Sequence, residues 1–372
     1  MQTDLCKKLG IEYPIFAFTH CRDVVAAVTN AGGIGVLGAT GFNAEQLEVE
    51  LNWIDERVGG KPYGVDVIIP TKYVGKGEQD PDKALAMAKA AIPQEHRDFV
   101  ANLCDENGVP NLPADKPFED RISMTDATST PLVDVALQHD NCKLIANALG
   151  TPPAHVIKQV QDSGRMIGAL CGKAKHAQYH IDAGLDFIVA MGGEGGGHCG
   201  DVSSIILWPE VVKLAGDIPV IAAGGVGSGQ QMAAALALGC EGVWCGSIWL
   251  TVAEAATSDP SKKSMFAAAS SDTVRSKSFT GKHVRMLRNN WTDAWDDANN
   301  PDPLGAPMQG MLTSQATARM REYPSKSQSI AFSPVGQIVG TMNETIAARD
   351  LVMELVTGYL DSTERLTSLL PK

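Results

Sequence analysis

The chain has 372 residues, 37 of them glycine, and its 31 Lys and Arg against 43 Asp and Glu give a net charge of −12. That length accommodates a parallel βα barrel of roughly 250 residues with an appendage, or two to three ordinary domains, and it excludes a small disulfide-stapled module. An acidic balance without a basic stripe excludes the phosphate-neutralising surface of a nucleic-acid-binding protein.

The first residues, Met1 to Lys8, lack the apolar core of a signal peptide, so the expectation is a cytoplasmic protein. Apolar runs of strand character follow at Pro14–Phe18, Ile34–Leu37 and Gly64–Ile69, with helical stretches over 21–31 and 43–58 between them. Further runs come at Lys143–Ala146, Met166–Leu170, Asp186–Ala190, Pro219–Ala222 and Gly242–Cys245, separated by helical stretches over 152–162, 173–183, 207–215 and 228–238. None of these runs alternates strictly with polar residues, as both-face burial in a parallel sheet requires. An α/β protein built as a (β/α)8 TIM barrel is the simplest closure, and a doubly wound open sheet is the competing one.

Residues 71–127 are too long for a βα loop and contain helical segments at Pro81–Ala91 and Pro93–Glu106, so they read as an insertion beside the third strand. From about Ala256 the strand signal disappears, and a final helix is expected near Glu344–Leu360. The expected organisation is a barrel over 1–70 and 128–255, an insertion over 71–127, and a mostly helical C-terminal extension over 256–372. The uncharged stretch Ile218–Cys240 has the length of a membrane span, but its five glycines, one proline and two glutamines read as strand, turn and helix. Eight widely separated cysteines without a CxxC pair fit reduced thiols and no metal site.

Glycine clusters mark the chemistry. Six of the nine residues 192–200 are glycine, in a loop directly after the sixth strand, where a barrel builds its active site. Gly192, Gly196 and Gly197 allow close approach of a ligand, and His198 ends the cluster with an ionisable imidazole. Residues 224–229 and 246–247 follow the seventh and eighth strands, where barrels place phosphate sites on backbone N–H groups. A phosphate-bearing cofactor on these turns is favoured over a Rossmann dinucleotide, whose fingerprint opens the first βα unit and is followed by an acidic residue about twenty positions on.

Three ordered motifs, Gly-Gly-Glu-Gly-Gly-Gly-His-Cys-Gly (192–200), Ile-Pro-Val-Ile-Ala-Ala-Gly-Gly-Val-Gly-Ser-Gly (218–229) and Gly-Val-Trp-Cys-Gly-Ser (242–247), resemble the nitronate monooxygenase family, formerly 2-nitropropane dioxygenases. Thr280–Arg285 extends the resemblance, which covers the chain from Ile11 to about Asn289. The resemblance implies an FMN barrel shared with flavin-dependent enoyl reductases and NADH:quinone reductases. It implies His198 as the proton-handling group, Gly224, Gly225, Gly246 and Ser247 as holders of the FMN phosphate, with Gly227 in the same turn, and Ala17 and Phe18 against the isoalloxazine. Asp66 stands where relatives usually carry Asn, and Met191 where many carry a polar residue. A carboxyl group beside a flavin can still accept from a ribityl hydroxyl or ring N–H, whereas methionine packs.

The remaining candidates weigh less. His20 follows the first strand and is a second imidazole for the barrel mouth; His96, His139, His155, His176, His180 and His283 read as surface or packing residues. Cys199 next to His198 suggests a Cys-His pair, but adjacent residues in an extended segment point apart. Glu194 reads as a solvated charge, and the tryptophans as packing, with Trp291 and Trp295 able to help cap a pocket. The expected activity is oxidation of alkyl nitronates with dioxygen. The alternatives are NAD(P)H-linked reduction or dehydrogenation of an activated C=C bond or a quinone, a non-redox sugar-phosphate barrel, and a non-catalytic flavin-binding protein. The expected partners are a small-molecule substrate and dioxygen or another acceptor, with neither nucleic acid nor membrane, and a homo-oligomer is compatible with the sequence.

Overall fold

The computed structural model describes residues 1–69, 86–87, 89–115, 118 and 126–371. The apolar runs become eight parallel strands: β1 (Ile15–Thr19), β2 (Ile34–Gly38), β3 (Tyr63–Val67), β4 (Cys142–Asn147), β5 (Met166–Cys171), β6 (Phe187–Met191) and, after the two-residue β7 (Gly197–His198), β8 (Val220–Ala223) and β9 (Gly242–Cys245). They pair in chain order, β7 excepted, and β9 returns to β1 through Ile15 opposite Val243, closing the barrel. That closure removes the open doubly wound sheet from consideration.

Strand alternation sorts the side chains into two layers. Phe16, Val36, Leu144, Val189, Ile221 and Trp244 fill the lumen, with Phe18, Leu170 and Met191 packed above them. Ile15 and Ala17 point outward to the helices, as do Val65 and Val67. Asp66, flanked by Val65 and Val67, therefore faces the lumen. The first helix, α1 (Asp4–Leu9), closes the opposite end: Leu5, Cys6 and Leu9 join the lumen cluster, while Glu241, just before β9, accepts from the Leu5 N–H at 3.3 Å.

The surrounding helices are α2 (Arg22–Asn30), α3 (Ala44–Val58), α4 (Gln94–Glu106), α5 (Asp126–Ala136), α6 (Ala154–Asp162), α7 (Ala174–Asp182), α8 (Ser204–Ala215) and α9 (Gly229–Ala237). In α3 the Asn43 and Gln46 side chains and backbones form a reciprocal capping box, Leu47, Leu51, Ile54 and Val58 form the buried stripe, and Gly59 ends the helix at φ 59°. Burial of each such aliphatic side chain stabilises the fold by about 1.5–3 kcal/mol. The helix expected at Pro93–Glu106 is α4; the one expected at Pro81–Ala91 lies largely outside the described residues.

Beyond the barrel, α10 (Asp259–Phe266) leads into β10 (Thr273–Ser276) and β11 (Val284–Leu287), an antiparallel pair where no strand was expected. Both are four residues long and each is interrupted by an arginine, Arg275 or Arg285, so neither carries the continuous apolar run by which the barrel strands were found. β11 also pairs with β7, placing Val284 opposite His198 and Arg285 opposite Gly197. Next come α11 (Asn290–Asp296), α12 (Met308–Glu322) and α13 (Ala348–Ser368). Insertion and extension share one satellite core, in which Val100 and Leu103 of α4 pack with Trp291, Trp295 and Met320. Arg319 ties them further, donating to Asp105 Oδ1 and to the Pro110 carbonyl, each at 2.9 Å. The tryptophan pair is thus core of this satellite. Helix α13 returns to the barrel and packs on α9 and α2.

Candidate active site

The loop leaving β6 is a folded structure pinned from four sides. Glycine at 192 is required because an added Cβ would strike the Ser204 backbone at 2.6 Å. The Gly193 N–H donates to the Val202 carbonyl at 2.7 Å, and Arg285 Nε donates to the Gly193 carbonyl at 2.8 Å. The Glu194 carboxylate accepts from the Ser204 N–H at 2.9 Å and its hydroxyl at 2.8 Å, capping α8. This corrects its reading as a solvated charge: Ser203 at the N-cap offers no side-chain bond, and the preceding loop supplies the anion that the helix N-terminus favours. Trp208 Nε1 bridges the carbonyls of Ala190 and Ala223 at 3.1 and 3.0 Å, fixing the ends of β6 and β8 relative to each other.

The two phosphate-type turns meet this loop. Gly224 and Gly225 have φ of 97° and 78°, open to glycine at little cost, and a Cβ on Gly225 would lie 3.0 Å from the Glu194 Cβ. Gly246 sits beside Phe18, whose ring stacks on Trp244 at 6.2 Å between centroids. A segment no sequence signal singled out, Val335–Ile338, covers the turns. The Gly336 N–H donates to Ser247 Oγ at 2.9 Å, the Gln337 N–H donates to the Glu194 carbonyl at 2.9 Å, and Ile338 packs on Gly227. A Cβ on Gly196 would lie 2.6 Å from Gly336 N. Ser247, having accepted that bond, keeps its own proton to donate.

At the top of the lumen Asp66 is 2 % exposed, and its Oδ2 has no hydrogen-bond partner. Burial pushes its pKa well up. A buried carboxyl group with an unpaired oxygen, facing the lumen across the barrel from the glycine turns suited to a phosphate, fits a polar ring-and-ribityl cofactor that would give it a partner. Phe18 faces the same space, whereas Ala17 is fully buried in the outer cluster, so its side chain points away from the lumen. His20 lies beside Phe18, edge-on at 5.2 Å, with Nδ1 2.9 Å from the Gly38 carbonyl.

Met191 and His198 border a separate cavity of about 690 Å³ between the ends of β4 to β6 and the β10–β11 hairpin. Gly197, at φ 78°, turns the chain into β7. His198 is exposed at the cavity mouth, with Nδ1 3.3 Å from the His283 carbonyl. A carbonyl can only accept, so Nδ1 carries the proton of the neutral ring and Nε2 keeps its lone pair. The packed protein behind the ring lowers its pKa, a shift opposed by the His283 carbonyl and reinforced by Lys282. Cys199 bonds instead to the Gly193 carbonyl at 3.7 Å, and burial raises its pKa, so no thiolate pair with His198 forms. His180 is buried between Thr151 Oγ1 and the Leu170 carbonyl at 2.8 and 3.1 Å, a packing role. His176 and His283, read as surface residues, line the cavity together with Lys173, Arg275 and Lys282, which the sequence had not singled out.

Residues 2–358 match the family described as nitronate monooxygenase. This chain belongs to the nitronate monooxygenase family. It is 46% identical over 378 residues to a Mycobacterium tuberculosis (strain ATCC 25618 / H37Rv) protein named as a monooxygenase, Rv1533, with all of each chain covered. It is 28% identical over 326 residues to a Staphylococcus aureus (strain MSSA476) protein named as a nitronate monooxygenase, covering 83% of this chain and 84% of that one. Among solved structures, a nitroalkane oxidase from Streptomyces ansochromogenes superposes with a TM-score of 0.80 at 23% identity, covering 97% of this chain and 99% of that one. FabK from Thermotoga maritima superposes at 0.75 and 22% identity over the whole of both chains. Both likenesses establish the barrel fold. The protein is an enzyme, a flavin-dependent oxidoreductase of this family. No helix among the described residues is long and apolar enough to cross a membrane.

Proposed function

We propose that this family member binds FMN and oxidises alkyl nitronates with dioxygen, His198 moving the substrate proton. The observation that carries the reading is the imidazole at the cavity mouth, bonded through Nδ1 to the His283 carbonyl, with Nε2 left as a neutral base and the pKa held below the ordinary value. Such a base takes the proton from the carbon next to the nitro group of a neutral nitroalkane, generating the nitronate in the site, and releases that proton again at neutral pH.

The residues that would hold FMN are the turns at Gly224, Gly225, Gly227, Gly246 and Ser247 for its phosphate, and Asp66 for a ribityl hydroxyl or ring nitrogen. Phe18, the Ala17 peptide, Met191, Gly192, Gly196 and Gly197 would flank its ring. When bound, FMN supplies the electron sink for the substrate carbanion and passes electrons on to dioxygen. The protein's own part is to orient the substrate against His198, to keep water off the lumen top with Phe18 and Trp244, and to hold the glycine loop rigid through Glu194 and Arg285.

His198→Asn tests the assignment. The variant should keep its flavin and lose about 10²–10⁴-fold in nitroalkane turnover, the usual contribution of a positioned general base. Unchanged turnover refutes His198 as the base. Purified protein that neither shows flavin absorbance nor takes up FMN refutes the cofactor.

A further inference from the structure

The cavity beside His198 is strongly basic within a chain of net charge −12. Lys173, Arg275 and Lys282 line it, and Asp201 is the one carboxylate among its described lining residues. Asp201 is engaged by Lys173 at 3.3 Å and also feels Arg275, so the one carboxylate is shared between two cations and Lys282 adds a third. Arg275 Nε is buried and has no hydrogen-bond partner, although a guanidinium is an obligate donor. Burial, then the neighbouring Arg275 and Lys277, lower the pKa of His283 against the opposing pull of Asp201, and burial alone lowers that of Lys282. A ligand anion would satisfy the open Arg275 Nε donor and the excess positive charge of this lining.

This basic lining is distinct from the turns proposed for the flavin phosphate, because no residue of 224–229 or 246–247 borders the cavity. We propose that the substrate carries a phosphate group, bound by Arg275 and Lys282 with His176 and His283 as further donors, and presents its reacting carbon to His198. The proposal rests on the preceding reading only in taking the His198 side as the reacting end.

Charge and size select phosphate. Three permanent cations against one carboxylate leave an excess of two, and a phosphate monoester brings about −1.5 to −2 at neutral pH, where a carboxylate brings one. A volume of about 690 Å³ lies within the range of small-molecule sites, roughly 300–1,000 Å³. Lys282, Arg275 and His198 line the same cavity, so phosphate and reacting carbon lie within the length of one small molecule.

Calorimetric titration of the flavin-loaded protein with inorganic phosphate at fixed ionic strength tests this. Saturable one-to-one binding is expected, weakened about tenfold or more in Lys282→Gln and in Arg275→Gln, with phosphate competing against turnover of a small unphosphorylated nitronate. Lys282 lies in an exposed turn between the hairpin strands, so its variant keeps the fold and serves as the control for Arg275. Absence of saturable heat, an affinity in both variants unchanged from that of the unaltered protein, or acetate binding as tightly as phosphate overturns the proposal. The heat is read without turnover. Phosphate binding without nitronate oxidation counts against the proposed activity alone, and nitronate oxidation without phosphate binding counts against this inference alone.

Discussion

Asp66→Asn probes the lumen top most cleanly. In the cofactor-free protein the Asp66 carboxyl is buried with one oxygen unpartnered, and burial raises its pKa. The unfolded chain releases this proton near pH 3.9, while the folded protein retains it to higher pH. Between those two values the folded state binds more protons, so stability falls as pH rises, by at most about 1.4 kcal/mol per pH unit. Above the folded value the loss is complete and constant. Asparagine has the same shape and no titration, so the stability gained on substitution should be near its minimum at pH 4 and grow toward pH 8. At pH 8 the gain should be on the order of 1–3 kcal/mol, the cost of an unsatisfied buried group. Urea unfolding of the two cofactor-free proteins across that range measures it. A difference that stays constant with pH refutes the buried, unpaired carboxyl. FMN affinity provides the companion readout: Asp66→Asn should retain the cofactor, whereas Asp66→Leu, with no polar atom, should weaken it about 3- to 10-fold, one hydrogen bond's worth.

Three further outcomes follow from named contacts. Because the surroundings lower the His198 pKa, its basic form persists below the ordinary histidine range, and the acid limb of the kcat/KM profile should fall at a pH below about 6.5 and vanish in His198→Asn; a limb at higher pH contradicts the geometry. Glu194→Gln weakens the charged cap on α8 and should lower stability by about 0.5–2 kcal/mol in urea unfolding, an effect absent if the carboxylate is solvated. Gly196→Ala forces a Cβ against Gly336 N, and the overpacking should cost about 1–3 kcal/mol together with lower FMN retention; a neutral effect means that Val335–Ile338 does not seat on this loop.

The barrel was legible because both-face burial writes each parallel strand as an apolar run, and all eight runs became strands within one or two residues of their expected ends. The glycine turns were legible for a related reason: close backbone approach, as of Gly192 to Ser204, admits no other residue. The β10–β11 hairpin was not, since Thr273–Ser276 and Val284–Leu287 are four residues each with an arginine in both, and their partner β7 is two residues inside a glycine run. The cationic wall was missed with it. Lys173, Arg275, Lys282 and His283 are separated by up to 110 positions in sequence and converge only because β11 docks on β7. Glu194 was misread because its partner, the bare N-terminus of α8, is a backbone feature with no side-chain signature. The Val335–Ile338 strap carries no periodicity and acts through peptide N–H groups and one packed side chain, which composition does not reveal.

The most direct test of the proposed activity is anaerobic mixing of the oxidised, FMN-loaded protein with an alkyl nitronate, and separately with NADH and NADPH, while the flavin band is followed. Rapid bleaching by the nitronate, recovery of the band on admitting dioxygen, and an oxidised flavin with either nicotinamide are expected. Rapid bleaching by NADH or NADPH with none by the nitronate would contradict that activity and make the protein a nicotinamide-dependent reductase.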